Sequence, residues 1–370
     1  MHIGVNFGFG RADTSVSEHD IVKNETGLAV LSEELGFDSV WAVEHHFTDY
    51  SFCPDNLQWL AYVGAKTVRI KLGTGGVILP WNDPLRVAEK LMLLDNLTEG
   101  RVIFGMGRGL ARSEFEGMRI PVGESRERFD EMLPMIIQGL ETGHMEGAGP
   151  HYVQPRVQIK PGPYASFAGR MYTVAGSEES MVAAVKNRIS VMSFLVRPVD
   201  KLVDTFNLFN DKWRATWDDE PAPVCLNVNM YCHPDPEVAK ERMYKHVGAF
   251  WQQNVDHYEF TGTHFATQKG YERYDEKAKF FRERGVEQAG RDYADAAIGG
   301  TPEQILEKLD WIQSILGRYE LVVAPAFGGM PYDQAEASLR LFAEEVAPKA
   351  RIAYDARVAE KKLASSGASA

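Results

Sequence analysis

The sequence predicts an α/β fold, a parallel eight-stranded (β/α)8 barrel with insertions, and three observations predict it. Short apolar runs alternate with stretches of helical periodicity along nearly the whole chain. The runs are apolar throughout, as in strands buried on both faces, and helical connections between strands imply parallel pairing. Eight such runs suit a closed barrel better than an open sheet. A chain of 370 residues fits one such domain over 1–350, with 351–370 a small, polar extension expected to fray.

The elements follow in order. Residues 3–9 are apolar and glycine-bounded, the first strand; 25–35 carry apolar residues at helical spacing and stop at Gly36. Residues 39–43 form the second strand, and 55–68 a helix opened by Pro54-Asp55. Residues 71–79 are the third strand, and 84–97 a helix with proline in its first turn. Residues 102–105 are the fourth strand, 125–140 an amphipathic helix, and 145–168, rich in Gly and Pro, an irregular insertion. Strand five at 171–175 leads to a helix at 177–187, and strand six at 189–195 to one near 199–213. Strand seven at 224–231 precedes a long helix at 236–253. Residues 254–297 are charged and aromatic without sustained periodicity, and read as a lid insertion. A helix at 301–316, strand eight at 321–326 and a helix at 333–346 complete the pattern.

Bulk properties exclude several function classes. A net charge of -12 argues against a nucleic-acid partner, which needs a basic face, and against an anionic membrane surface. No apolar run approaches the ~20 residues that span a bilayer. Three cysteines, Cys53, Cys225 and Cys232, make neither a paired framework nor a Cys-x-x-Cys zinc motif. Reduced thiols, and a first strand that starts at the N-terminus with no leader before it, point to the cytoplasm.

Chemistry concentrates where strands stop being apolar, at the rim where such barrels carry their active sites. The run Val40-Trp41-Ala42-Val43-Glu44-His45-His46-Phe47 ends strand two in a carboxylate and two histidines. Adjacent residues on extended backbone point to opposite faces, so one imidazole can face the mouth while the other packs outward. The later strand ends offer Arg108, Ser177, Phe194, Asn229 and Phe327, poor metal ligands, so no metal is expected. Arg108 lies in Gly105-Met106-Gly107-Arg108-Gly109, where glycines admit close approach and a guanidinium can clamp phosphate. A strand-end arginine paired with a nearby acid explains that motif equally well. Ser177 opens a helix as Gly176-Ser177-Glu178-Glu179-Ser180, a ready anion site that is also how ordinary helices begin. Gly75-Gly76 ends strand three, where backbone can approach a flat ligand or form a bulge. Asn227 and Asn229 share one face of strand seven, suiting either substrate contact or a hydrogen-bonded interior layer.

The stretches GFDSVWAVEHHF, KLGTGGVILP, GRVIFGMGRGL, AGSEES and GTPEQILEKL resemble, in this order, the luciferase-like flavin monooxygenase family. The resemblance runs from about residue 1 to 350 and implies a TIM barrel that binds reduced FMN at its C-terminal mouth. It implies His45 as the catalytic histidine, Arg108 as the phosphate arginine, Arg126 as a second one, and Ser177 and Ser180 as cap contacts. It also implies a cis peptide between Gly75 and Gly76 below the isoalloxazine, with Glu44, Gly107, Leu110 and Val174 as further flavin contacts. The implied reaction uses O2 as co-substrate and passes one oxygen, through a C4a-peroxyflavin, to a small organic substrate such as an aldehyde or ketone. An NAD(P)H:flavin reductase is the implied supplier of reduced cofactor, since no dinucleotide fingerprint is present; a homodimer is implied as well. The family's thiol, glutamate and tryptophan are replaced here by Gly107, Gly176 and Phe194, which reshapes the pocket. Competing readings are a deazaflavin-dependent dehydrogenase of the same superfamily, a flavin-binding protein without turnover, and a metal hydrolase.

Overall fold

The structure, a computed structural model, describes residues 1–367 apart from 270, 272, 273, 276, 277, 280, 281 and 284. Its first half runs β1 (Ile3–Phe7), α1 (Glu18–Glu34), β2 (Ser39–Ala42), α2 (Asn56–Gly64), β3 (Lys71–Thr74), β4 (Val77–Ile78), α3 (Pro84–Leu97), β5 (Val102–Gly107), α4 (Arg112–Met118) and α5 (Ser125–Thr142). A hairpin, β6 (His144–Ala148) and β7 (Val153–Gln158), leads to β8 (Met171–Val174), α6 (Glu178–Lys186), β9 (Ser190–Phe194), α7 (Val203–Trp217), β10 (Val224–Cys232) and α8 (Pro236–His257). The chain ends with α9 (Val286–Ala296), β11 (Ile298–Gly300), α10 (Pro302–Leu316), β12 (Tyr319–Ala324), α11 (Tyr332–Leu341) and α12 (Ala347–Gly367).

Parallel pairing runs β1-β2-β3-β5-β8-β9-β10-β12, and β12 returns to β1, so eight strands close the barrel among the described residues. Helix starts obey local chemistry. The side chains of Ser17, Asp55, Asp83, Ser177, Asp235 and Thr301 each accept a hydrogen bond from a first-turn amide.

Alternation along each strand sorts side chains into two cores. Outward residues such as Val5, Val40, Phe104, Leu226 and Val323 pack under the helices. Inward ones, Trp41, Ile103, Tyr172, Met192, Cys225 and Val322, form a separate cluster that fills the barrel. Gly73 makes room for Trp41, since a Cβ there would sit 2.3 Å from the indole. The indole Nε1 donates to Ser39 Oγ at 2.7 Å, and Tyr172 donates its hydroxyl proton to Glu320 at 2.9 Å. The plug is a floor for the mouth above it.

Several elements differ from the sequence reading. The third strand, expected over 71–79, breaks at a cis Gly75–Gly76 bond and resumes as β4, paired to β5 through Val77 and Met106. The break keeps two backbones close: a Cβ on Gly105 would lie 1.9 Å from the Thr74 carbonyl oxygen, and one on Gly76 2.7 Å from the Met106 nitrogen. The insertion expected to be irregular contains the β6–β7 hairpin, whose mostly exposed faces leave no apolar alternation to read. Beyond 350, where fraying was expected, α12 continues to Gly367, with Asp355 meeting the N-terminal amine at 3.2 Å and Arg351 meeting Asp38 at 2.8 Å. Within 254–297, α8 extends to His257 and α9 occupies the end, while part of the segment lies outside the described residues.

Candidate active site

The exit of β2 is held before any functional group appears on it. Asn56 Nδ2 donates to the Ala42 carbonyl at 3.1 Å, and the Gly75 amide donates to the same oxygen at 2.7 Å. Glu44 then ties β2 to β4, accepting from the Ile78 amide at 2.7 Å and Asn82 Nδ2 at 3.1 Å. The two histidines diverge as the alternation requires. His46 is buried, its Nε2 3.4 Å from Glu44 and its ring edge-on to Trp81 at 5.5 Å. His45 turns the other way, with Nδ1 3.0 Å from Glu114 Oε1 and Nε2 3.4 Å from the Tyr258 hydroxyl.

Glu114, on α4, is the centre of this half. Its fully buried carboxylate also accepts from the His46 amide at 2.7 Å and lies 3.4 Å from His257 Nε2. Thr48 Oγ1 sits 2.8 Å from the other ring nitrogen of His257. Burial works to raise the Glu114 pKa, but hydrogen bonds and charge from His257 and His45 outweigh it and bring the carboxyl to about 2. Burial pushes His257 below its ordinary value, against the opposing pull of Glu114. An ionised Glu114 accepts only, so the hydrogen of this contact lies on His45 Nδ1, while Nε2 faces the Tyr258 hydroxyl.

The second half lies at the ends of neighbouring strands β5 and β8, paired through Met106 and Thr173. Arg108 leaves β5 just before Gly109, whose φ of +82° and crowded Cβ position, 2.9 Å from Ile78 and Trp81 atoms, exclude any larger residue. The Arg108 guanidinium stacks 4.2 Å above the Tyr271 ring, and Tyr271 donates to the Gly109 carbonyl at 2.9 Å. Arg126, in the first turn of α5, stands 3.8 Å from Asp130 and 3.8 Å from Glu179. Burial lowers the Arg126 pKa, and the like charge of Arg108 lowers it further. Glu179 belongs to the first turn of α6, whose cap is Ser177, with Ser177 and Ser180 hydroxyls 2.9 Å apart.

Arg126 thus links the Arg108 side to the first turn of α6, which Ser177 caps and to which Ser180 belongs. Val174 is the last residue of β8, on the inward register of Tyr172, and Leu110 is half-buried against the outer core. Gly107 lies under Ile78, where a Cβ would sit 2.9 Å from its Cδ1. Gly75, Gly76 and Glu44 join this floor to the His45 side through β4. α4 spans the two halves, beginning four residues beyond Arg108 and carrying Glu114 to His45. The segment read as a lid touches both: Tyr258 at His45 and Tyr271 at Arg108, with Glu259 held by Arg112 at 2.6 and 2.9 Å.

Sequence reasoning passed over Glu114, His257, Tyr258 and Tyr271. Two of them sit on helices, where a charged residue or histidine looks like solvent-facing decoration until folding buries it. Among the described residues, His45, Glu114 and His257 also offer metal-ligand atoms within 4.8 Å of one another. The expectation of no metal was argued from strand ends alone and did not weigh this group.

The sequence model of luciferase-like monooxygenases matches residues 1–318. The chain is 26% identical over 337 residues to the alkanal monooxygenase alpha chain of Photorhabdus luminescens, covering 90% of this chain and 92% of that one. Among solved structures it is similar to monooxygenase RslO1 from Streptomyces bottropensis, with a TM-score of 0.76, 26% identity, and coverage of 94% and 99%. The fold is shared with the oxygenating constituent of 3,6-diketocamphane monooxygenase from Pseudomonas putida, in complex with FMN, at a TM-score of 0.73, 17% identity, and coverage of 94% and 98%. A closed parallel barrel, its chemistry gathered at one mouth, and a family match over most of its length lead to one conclusion: this chain belongs to the luciferase-like monooxygenase family.

Proposed function

We propose that the chain is the oxygenating component of a two-component flavin monooxygenase, using reduced FMN and O2 to place one oxygen atom into a small organic substrate. The observation that carries the reading is the close pair Arg108 and Arg126 beside the capped start of α6. Two guanidiniums close enough that the charge of Arg108 lowers the proton affinity of half-buried Arg126, next to the N-terminus of a helix, suit a dianionic phosphate. Gly76 and Gly107 let the chain pack tightly at the mouth, where a Cβ would meet the Met106 backbone and Ile78, and they present backbone rather than side chain there, which suits a planar ring. The flavin of the diketocamphane enzyme supports the same assignment by analogy.

When bound, reduced flavin supplies the electrons that activate O2. The residues then have separate tasks. Arg108, Arg126, Ser177 and Ser180 would hold the phosphate, and Glu44, Gly75, Gly76, Gly107, Leu110 and Val174 would flank the ring. His45 holds or moves a proton at Nε2, and Glu114 fixes the other ring proton at Nδ1. Tyr258 and Tyr271, from the segment read as a lid, rest on the two halves of the mouth and would help to exclude water there. A separate NAD(P)H:flavin reductase and a second copy of the chain are the expected partners, in the cytoplasm.

The test is oxygen uptake by the purified protein with FMN reduced by an added reductase, across a set of aldehydes and ketones. Uptake that depends on both FMN and a carbonyl compound, with an oxygenated product, is the expected result. Hydride transfer with reduced deazaflavin alone overturns the choice of cofactor, and FMN binding without substrate-dependent uptake reduces the chain to a carrier.

A further inference from the structure

Across the mouth from the phosphate anchor, the barrel wall carries three amides that the fold leaves incompletely hydrogen-bonded. In the ring of eight strands, β1 stands opposite β8, and β10 lies two strands from each of them. Asn6 on β1 and Asn227 and Asn229 on β10 take the inward register, because their neighbours Val5, Phe7, Leu226, Val228 and Met230 pack outward. They are only 5%, 3% and 6% exposed, yet Asn6 Oδ1, Asn227 Nδ2 and Asn229 Nδ2 have no hydrogen-bond partner among the described residues. Asn229 pairs in register with Ala324, whose other neighbour strand carries Asn6, so the amides flank a small residue. The floor below is Val322, Cys225 and Met192, with Phe194 beside them.

A hydrogen-bonded interior layer would satisfy these groups within the protein, and this one does not. Buried polar atoms left unpaired cost stability, and proteins keep them where a ligand completes them. Asn6 also adjoins the expected ring floor, its Oδ1 3.3 Å from the position of a Cβ on Gly75.

We propose that Asn6, Asn227 and Asn229 form a polar substrate subsite, which selects a compound bearing a second hydroxyl or carbonyl besides the group that is oxidised. A plain long-chain alkanal would leave all three amides unpaired. The assignment rests on the flavin reading for the identity of the mouth, but its binding test does not need turnover.

The experiment compares wild type with Asn227→Leu/Asn229→Leu, and separately with Asn6→Leu on β1, beyond β12, in case the double variant does not fold. Affinities are measured by thermal shift, with and without FMN, for decanal and for diketones and hydroxy ketones of equal carbon number. In wild type the best doubly oxygenated probe is expected to bind at least about ten-fold tighter than decanal. In the variants that ratio falls towards one, FMN affinity is unchanged, and the ligand-free protein melts at a higher temperature. The proposal is overturned if wild type binds decanal as tightly or binds none of the probes, or if the variants keep the preference. It is equally overturned if the variants lose FMN affinity, since the amides would then serve the flavin, or if they melt lower, since the amides would then serve the fold. Wild type that shows the preference without binding FMN would defeat the flavin reading and leave the subsite standing.

Discussion

A carboxylate clasped by two imidazoles and a backbone amide can stay ionised in a dry place, and Glu114 does so. Its pKa of about 2, against an ordinary 4.5, stabilises the fold at pH values above 4.5; that contribution is lost as pH falls through 2. His257 acts in the same sense. Its folded pKa is depressed below 6.5, so stability falls once pH drops through 6.5 and the unfolded chain takes up the proton first. Chemical unfolding of wild type beside His257→Asn should therefore show the variant gaining on wild type as pH falls just below 6.5, because the histidine's contribution to the decline is gone. His45→Ala is expected to remove oxygenation almost completely while reduced-FMN affinity stays within a few-fold; flavin titration beside oxygen uptake separates the two effects. His45 and Arg108 were legible in the sequence because each follows an apolar strand without a break. Glu114 and His257 were not, since their meaning depends on α4 and α8 crossing above the β2 exit.

At the scale of elements, a strand or helix could be read wherever its periodicity ran long enough. The helix at Pro84–Leu97 matches the sequence reading to the residue, with Asp83 as cap and Pro84 in its first turn. α4, of seven residues, and β11, of three, are too short to show a period. The split of the third strand could not be read from apolarity, since β4 continues the same run of buried residues. α1 carries a buried acid: Glu25 is held by the Tyr332 hydroxyl at 3.1 Å, and burial raises its pKa to about 8. Its folded pKa lies above the unfolded one, so the stability it confers at low pH is lost as pH rises from 4.5 to 8. Glu25→Gln keeps the shape and removes the proton linkage. Denaturant unfolding at pH 7 should find it more stable by roughly 3 kcal/mol. For the segment 254–297, read as a lid, FMN is expected to slow cleavage by a protease there; cleavage at an unchanged rate would argue for a segment unrelated to the cofactor.

At the scale of the whole molecule, closure of eight parallel strands brings together groups that are far apart in sequence. The sequence could name His45, Arg108 and Ser177 as strand-end residues, and the barrel explains why strand ends share one mouth. It could not give the order of contacts around that mouth, because helices and the 254–297 segment add Glu114, Arg126, Tyr258 and Tyr271 from outside the strands. An acidic chain, with a net charge of -12, that gathers two arginines at one rim concentrates its positive field where a phosphate would dock. The most direct test compares equilibrium affinities for reduced FMN and reduced riboflavin, which differ by the phosphate alone, in wild type and Arg108→Ala. Wild type should favour FMN by ~1.5–3 kcal/mol, and Arg108→Ala should lose most of that preference without weakening riboflavin. Equal affinity for the two flavins in wild type, or a preference that survives the loss of Arg108, would contradict the account.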